Sequence, residues 1–374
     1  MYADEKKLVN SKNLYLYETD CDLSPLDILR FQCDIYVGAR TIRERFEDLF
    51  ICKAKVIAKK RKGSIDIPEP TADRPFGPGL FCPSNFVPRS PIAIDGSEEV
   101  GVDGDRIVFL RLGASRAVKF DPKNPEASAV GLPRRPLSAA FIDKPWDIIR
   151  YLHLLLNDDA EFEIKNGADT EPPPNAVFDR SGGPIAICDG AKIEPFVFIS
   201  GPAVIGRNAV VKSHSAIRAS AINEGSRVGG ELNSTVFFPY SNKQHYGFLG
   251  HSVAASWVNI GAGAAGSNLK NTYGEIRIDG EGTGLNYLGQ IIGDHTKIGI
   301  QAALNTGSIF GICSNIIADG ITPKSVESFR FGNEPAEIES VIKTARRVMA
   351  RRNKELTSSM EELIRAWHRV LTEK

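Results

Sequence analysis

The sequence predicts a mixed α/β domain, then a parallel β-helix, then a helical tail, and three observations carry that prediction. Aliphatic residues recur every six positions at Ile187, Ile193, Ile199, Ile205, Val211 and Ile217. Residues 13–165 lack this period and alternate strand-like and helix-like runs, while 335–374 show helical spacing. A period of six fits neither the 3.6 of a helix nor the 2 of a strand. It fits short parallel strands wound into a coil, one flat face per hexad. Stacked rungs lie about 4.8 Å apart, so their inward residues join into apolar ladders.

The elements follow in chain order. Asn13 to Tyr17 and Asp34 to Val37 read as strands, and Ile42 to Leu49 as a helix with Phe46 and Leu49 inward. Arg106 to Leu112 is a further strand, and Pro145-Trp146-Asp147 opens a helix through Leu156. Its apolar positions are Trp146, Ile149, Leu152, Leu155 and Leu156. Glu171 to Asn175, with three consecutive prolines, is a stiff linker. In the repeat, a second small or branched residue precedes each aliphatic by two: Ile185, Ala191, Val197, Ala203, Ala209 and Ser215. The period returns at Phe248, Ala254 and Ile260, and again at Ile292, Ile298, Leu304, Phe310 and Ile316. Turns between hexads use Gly, Asn and Asp, as at Gly206-Arg207-Asn208. The tail carries Ile338, Val341, Ile342, Ala345 and Val348, then Met360, Leu363, Ile364 and Trp367, with Arg346, Arg347, Arg351 and Arg352 between. It is expected to pack across the end of the coil. The resulting domains are 1–170, 176–332 and 333–374.

Bulk composition limits the function classes. Lys plus Arg balances Asp plus Glu at 46 each in 374 residues, so no nucleic-acid partner or acidic membrane surface is indicated. Met1 to Asn10 lacks an apolar core for a secretory signal, and no apolar run reaches about 18 residues. Six scattered cysteines without a CxxC pair fit reduced thiols in a cytoplasmic protein. Cys188 and Cys313, inside the repeat, are expected to pack as small hydrophobes.

Two stretches interrupt the period, Val228 to Gly247 and Ala264 to Leu288. Polar residues concentrate there, and ordered excursions from a stacked coil commonly carry function. The text GGELNSTVFFPYSNKQHYGFLG, then WVNIGAGAAGSNLKN, then GDHTKIGIQAALNTG, resembles one family. This is the bifunctional N-acetylglucosamine-1-phosphate uridyltransferase / glucosamine-1-phosphate N-acetyltransferase family, in its divergent bacterial branch. DIYVGARTIRER and KPWDIIRYL extend the resemblance into the N-terminal half. It implies a left-handed hexapeptide coil, acetyl-CoA as cosubstrate, an amino-sugar phosphate as acceptor and a homotrimer with sites between neighbouring coils.

The resemblance also implies residue roles. His245, five residues before the Leu249-Gly250 corner's glycine, matches the general base; a lone histidine at a turn otherwise fits a surface residue. Asn259, in VNIGAG, matches a residue beside the reacting amine, with corner hydrogen bonding along an Asn ladder as the alternative. Ala262 and Gly263 match the backbone along the acyl thioester, with the Ala262 amide suited to the oxyanion. Asn268 matches a sugar contact, Lys270 is a nearby cation for phosphate, and Arg218 is the counterpart of a phosphate-binding arginine. Glu231 and Asn233 complete the acceptor surface. Asn233, Phe248 and Leu269 stand where the family has a lysine and two tyrosines, so Lys243 is the candidate replacement charge. His214, His251 and His295 read as surface residues at turns.

The N-terminal half resembles a degenerate nucleotidyltransferase. Nucleotide phosphates need a Gly-rich loop after the first strand, yet Glu18 to Pro25 has no glycine and three acidic residues. Mg²⁺ is implied only if this half is active, and Arg40, Arg43 and Arg45 are candidate cations or simply a solvated helix face. Two other readings stay open: a sugar-1-phosphate nucleotidyltransferase using UTP or dTTP, and a non-catalytic oligomerising scaffold.

Overall fold

A computed structural model describes residues 13–318 and 320–372, so the expectation for Met1 to Asn10 lies outside the described residues. The chain divides into two compact units. Among the described residues, one holds 13–23, 30–35 and 40–143; the other holds 24–29, 36–39, 144–318 and 320–372. The helix expected to close the first domain therefore belongs with the coil.

The first unit is built on a six-stranded mixed sheet. Its strands are β1 (Leu14–Tyr17), β2 (Ala54–Ile57), β3 (Gly79–Pro83), β5 (Glu99–Asp103), β6 (Arg106–Leu112) and β7 (Arg134–Pro136), in the order β2-β1-β3-β6-β5-β7. β2, β1 and β3 run parallel, and β6 is antiparallel to β3 and β5. A separate pair joins β4 (Phe86–Val87) to β8 (Ala140–Phe141). Tyr15 stacks on Phe81, and Phe81 packs on Phe120, in a core that also holds Tyr17, Phe76 and Leu110. Helix α1 (Ile42–Phe50) starts at a capping box: Glu44 N donates to Thr41 Oγ1, and Thr41 N donates to a Glu44 carboxylate oxygen. Two short helices, α2 (Ala114–Ala117) and α3 (Pro125–Ala129), complete the unit. Asp34 to Val37 is not a strand, because residues 32–34 form a 3₁₀ turn.

The second unit is the left-handed parallel β-helix, preceded by α4 (Asp147–Lys165) and followed by α5 (Ile338–Ala350) and α6 (Ser358–Thr372). Its strands stack into three faces. The first runs from Ile185–Ile187 to Ser325–Val326, and the second from Lys192–Ile193 to Arg330–Phe331. The third runs from Val177–Asp179 to Phe248–Gly250 and resumes at Ala265–Gly266 and Ala303–Leu304. The predicted inward aliphatics, from Ile199 and Ile217 to Phe310 and Ile316, share one buried core. Corner hydroxyls satisfy carbonyls that the strands leave behind, as Ser226 on Phe238 O and Ser241 on Ala255 O.

Two expectations about the repeat need correction. Val228 to Gly247 is no excursion: Glu231–Asn233, Val236–Phe237 and Asn242–Lys243 are regular rungs of the three faces. Their corners are tighter, with Ile217 paired to Leu232 fifteen residues on and Leu232 to Leu249 seventeen on. That drift puts Leu249, rather than Phe248, in the core. Only the second interruption is a true excursion, leaving after Ala265–Gly266 and returning at Gln290–Ile292 with a hairpin of Arg277–Ile278 and Glu281–Gly282. It buries Ile276, Ile278 and Leu288, and ties to α4 through Lys144–Glu281 and Arg150 on Thr283 O.

The tail does not cap the end of the coil. The outward column of the second face is Asn242, Asn259, Lys297, Asn315 and Phe331. Val341 and Ala345 of α5 face Lys297, Asn315 and Phe331 across a cavity of about 340 Å³, and Arg352 donates to Asn242 Oδ1 at 2.6 Å. The tail thus lies along the second face. All six cysteines are free; Cys313 is buried and Cys188 half-buried. No helix of the described residues is long and apolar enough to cross a membrane.

Candidate functional site

Parallel stacking converts residues distant in sequence into outward columns on the third face. One column holds Ala216, Glu231 and Phe248; the next holds Arg218, Asn233 and Gly250. Arg218 lies over the Phe198 ring and pairs with Glu231 at 3.3 Å, a half-solvated contact that leaves most of the guanidinium's donors available. Asn268, near the start of the excursion, folds back onto this face above Gly250. A Cβ on Gly250 would meet Asn268 Nδ2 at 2.4 Å and the Phe248 ring at 2.6 Å, so a methyl there would push both side-chain ends aside. Arg218, Glu231, Asn233 and Asn268 are thereby brought onto one surface.

His251 belongs to the same surface, although it reads as a turn residue in the sequence. Its Nδ1 lies 2.8 Å from Asn268 Nδ2, and its ring stacks on Tyr287 at 5.1 Å. Burial holds its pKa below the ordinary histidine value. No sequence signal marks this cluster, because Asn268 and Tyr287 reach His251 only through the return of the excursion. His295 is also no surface residue: it is buried and stacked near Trp257. His214 packs on Phe196.

At the opposite edge, the corner between the second and third faces carries His245, exposed, and Tyr246. The next rung's corner lies directly on it, since Gly263 N donates to Tyr246 O at 3.0 Å. In that corner the Ala262 carbonyl accepts from Gln301 N, while the Ala262 amide donates to no described residue. Asn259 is exposed on the second face, stacked on Asn242, which places it on the other side of the corner from the Arg218 column.

Two predicted cations are engaged elsewhere. Lys243 occupies an inward position, paired with Val228, and is fully buried. Its ammonium donates to Gly229 O, His245 O and Gly247 O at 3.0–3.1 Å, which uses all three donors. Burial lowers its pKa to about 8. Lys243 therefore braces the His245 corner from inside and is not an acceptor contact. Lys270 donates to Glu275 O within the excursion.

In the first unit a cleft of about 690 Å³ opens at the carboxyl ends of β1, β2 and β3, lined by Glu18, Asp20, Lys59, Lys60 and Arg106 among others. Such crevices are where open α/β sheets hold ligands. Here Glu18, buried, accepts Gln32 N, Lys59 N and Arg61 Nη2, so a carboxylate already occupies these donors. Arg43 pairs with Asp34, Arg40 with Asp48, and Arg45 is buried. Among the described residues no group of three or more His, Cys, Asp or Glu is placed to hold a metal.

No family model matches the chain. The bifunctional protein GlmU of Pseudoalteromonas atlantica is 28% identical over 169 residues, 44% of this chain and 33% of that protein. A bifunctional sugar-1-phosphate nucleotidylyltransferase/acetyltransferase of Sulfurisphaera tokodaii is 27% identical over 210 residues, 50% of this chain and 46% of that protein. The match thus spans a third to a half of the curated relatives. Among solved structures, PerB of Caulobacter crescentus in complex with CoA and GDP-perosamine is 12% identical with a TM-score of 0.23, covering 54% of this chain and 79% of its own. The acetyltransferase domain of PglB from Neisseria gonorrhoeae is 10% identical with a TM-score of 0.22, covering 84% and 97%.

Proposed function

We propose that this chain, a divergent relative of the bifunctional sugar-1-phosphate nucleotidyltransferase/acetyltransferases, transfers an acetyl group from acetyl-CoA to the amine of an amino-sugar phosphate. The observation that carries the reading is the corner pair: exposed His245 on one rung, and on the next the Ala262 amide, which donates to no described residue. In this reading His245 removes a proton from the sugar ammonium or from the attacking amine, and the nitrogen adds to the thioester carbonyl. The Ala262 amide donates to the oxygen as it gains charge, with Gly263 leaving the approach open. The C–S bond then breaks, and the CoA thiolate takes a proton from His245. Asn259 orients the amine, and the Arg218, Glu231, Asn233 and Asn268 surface holds the sugar phosphate, as in glucosamine-1-phosphate.

A homotrimer accords with the apolar residues left in water beside this corner: Tyr246, Ile300, Ile317 and Ile321 are 61–74% exposed. Sites between neighbouring coils would bring Asn259 of one copy toward the corner of another. We assign the enzyme to cytoplasmic nucleotide-sugar synthesis. Nucleotidyl transfer by the first unit is the second reading, favoured by its cleft at the strand ends. One assay separates the classes. The wild-type chain is given acetyl-CoA with glucosamine-1-phosphate, and separately UTP or dTTP, Mg²⁺ and N-acetylglucosamine-1-phosphate. Free thiol is expected in the first mixture; pyrophosphate alone would favour the second reading, and neither product would favour a scaffold.

A further inference from the structure

We propose that His251 contacts the acceptor, donating its Nε2–H to the phosphate group. The inference rests on the acetyl-transfer reading and adds a specificity-determining residue that the sequence does not mark. Asn268 Nδ2 can only donate, so at 2.8 Å the His251 Nδ1 accepts. A neutral imidazole accepting at Nδ1 carries its proton on Nε2, and that nitrogen bonds to no described residue. Tyr287, stacked at 5.1 Å and 28°, fixes the plane of the ring.

The excursion supplies both clamps, Asn268 where it leaves the coil and Tyr287 where it returns. Backbone bonds tie it to the same corner: Leu288 N donates to Asn268 O, and Gly289 N to His251 O, each at 2.9 Å. Because Asn268 lies over Gly250, it continues the outward column of Arg218 and Asn233, and His251 stands at that column's end. The groups gathered there are the Arg218 guanidinium, with one donor on Glu231 and the rest available, two side-chain amides and an imidazole N–H. Sugar hydroxyls donate as well as accept, whereas an ionised phosphate only accepts. The remaining guanidinium donors and the His251 N–H at the column's end suit the phosphate end of the acceptor.

The test is equilibrium binding of glucosamine-1-phosphate, and of glucosamine, to the full chain without acetyl-CoA. His251→Ala is expected to weaken glucosamine-1-phosphate about tenfold, the scale of one charge-assisted hydrogen bond. Glucosamine and acetyl-CoA affinities should stay within about twofold of wild type. His251→Gln, which keeps an N–H donor, should recover most of the loss, and phosphate titration should move the ¹⁵N resonance of His251 Nε2. Equal glucosamine-1-phosphate affinity in wild type and His251→Ala overturns the inference and leaves acetyl transfer standing. If the wild type binds no glucosamine-1-phosphate, the acceptor class fails and this inference with it, whatever other amine drives thiol release.

Discussion

The two stretches that break the six-residue period turn out to differ in kind. Residues 228–247 keep the coil and shorten its corners, whereas 267–289 leave it and build a small lobe with its own apolar residues. Both look alike in sequence because each replaces ladder aliphatics with polar side chains. In the first, Lys243 sits inward and spends its ammonium on three corner carbonyls. In the second, Asn268 and Tyr287 reach back from the two ends of the excursion and meet on His251. A break in an apolar repeat therefore marks either a braced rung or a departure, and the placement of the polar hydrogen bonds decides which.

That difference is open to attack by mutation. Lys243→Met removes the ammonium from Gly229 O, which is buried, and from the part-buried His245 O and Gly247 O, the last of which keeps Glu231 N, and should cost about 1–3 kcal/mol in urea unfolding. A cost near zero would return the first stretch to the class of loose loops. Gly250→Ala displaces the ends of Asn268 and Phe248, and should cost about 1 kcal/mol or less while releasing His251 from its amide. Unfolding midpoints and the His251 imidazole resonance check both effects.

Proton linkage gives a third route. Burial lowers Lys243 and Lys297 to about 8 from the usual 10.5, so between those values the unfolded chain binds more protons than the folded one. Stability should consequently rise with pH through that window, and the penalty from these two groups is fullest below it. Lys243→Met should flatten the rise by its own share; an unchanged slope between pH 8 and 10 would contradict the buried charge. The smallest effect belongs to the excursion's surface tie, Lys144 to Glu281, whose two ends are part solvated. Lys144→Ala should cost less than about 1 kcal/mol.

The coil itself was readable because each hexad repeats one packing demand, and Ile199, Ile205, Val211 and Ile217 answer it in register. Phase was lost at Phe248 because a seventeen-residue coil moves the inward position to Leu249, and nothing local announces a shortened corner. Asp34 to Val37 failed as a strand for a similar reason: four apolar or polar residues cannot distinguish extended chain from a 3₁₀ turn. The resemblance names Arg218, Asn233 and Asn268, which the stacked rungs bring onto one face, whereas nothing in the sequence joins His251 to them because its partners are set by the path of a loop. The tail's amphipathic pattern gave helices, but not the face they cover, since both options bury the same stripe.

The central claim is that His245, on the corner beside the Ala262 amide, is the base of an acetyl transfer. Thiol release from acetyl-CoA with glucosamine-1-phosphate, compared between wild type and His245→Ala of equal circular dichroism and assembly state, tests it most directly. The account predicts a loss of at least about 100-fold, the usual worth of a positioned general base. Release within about twofold of wild type would contradict it.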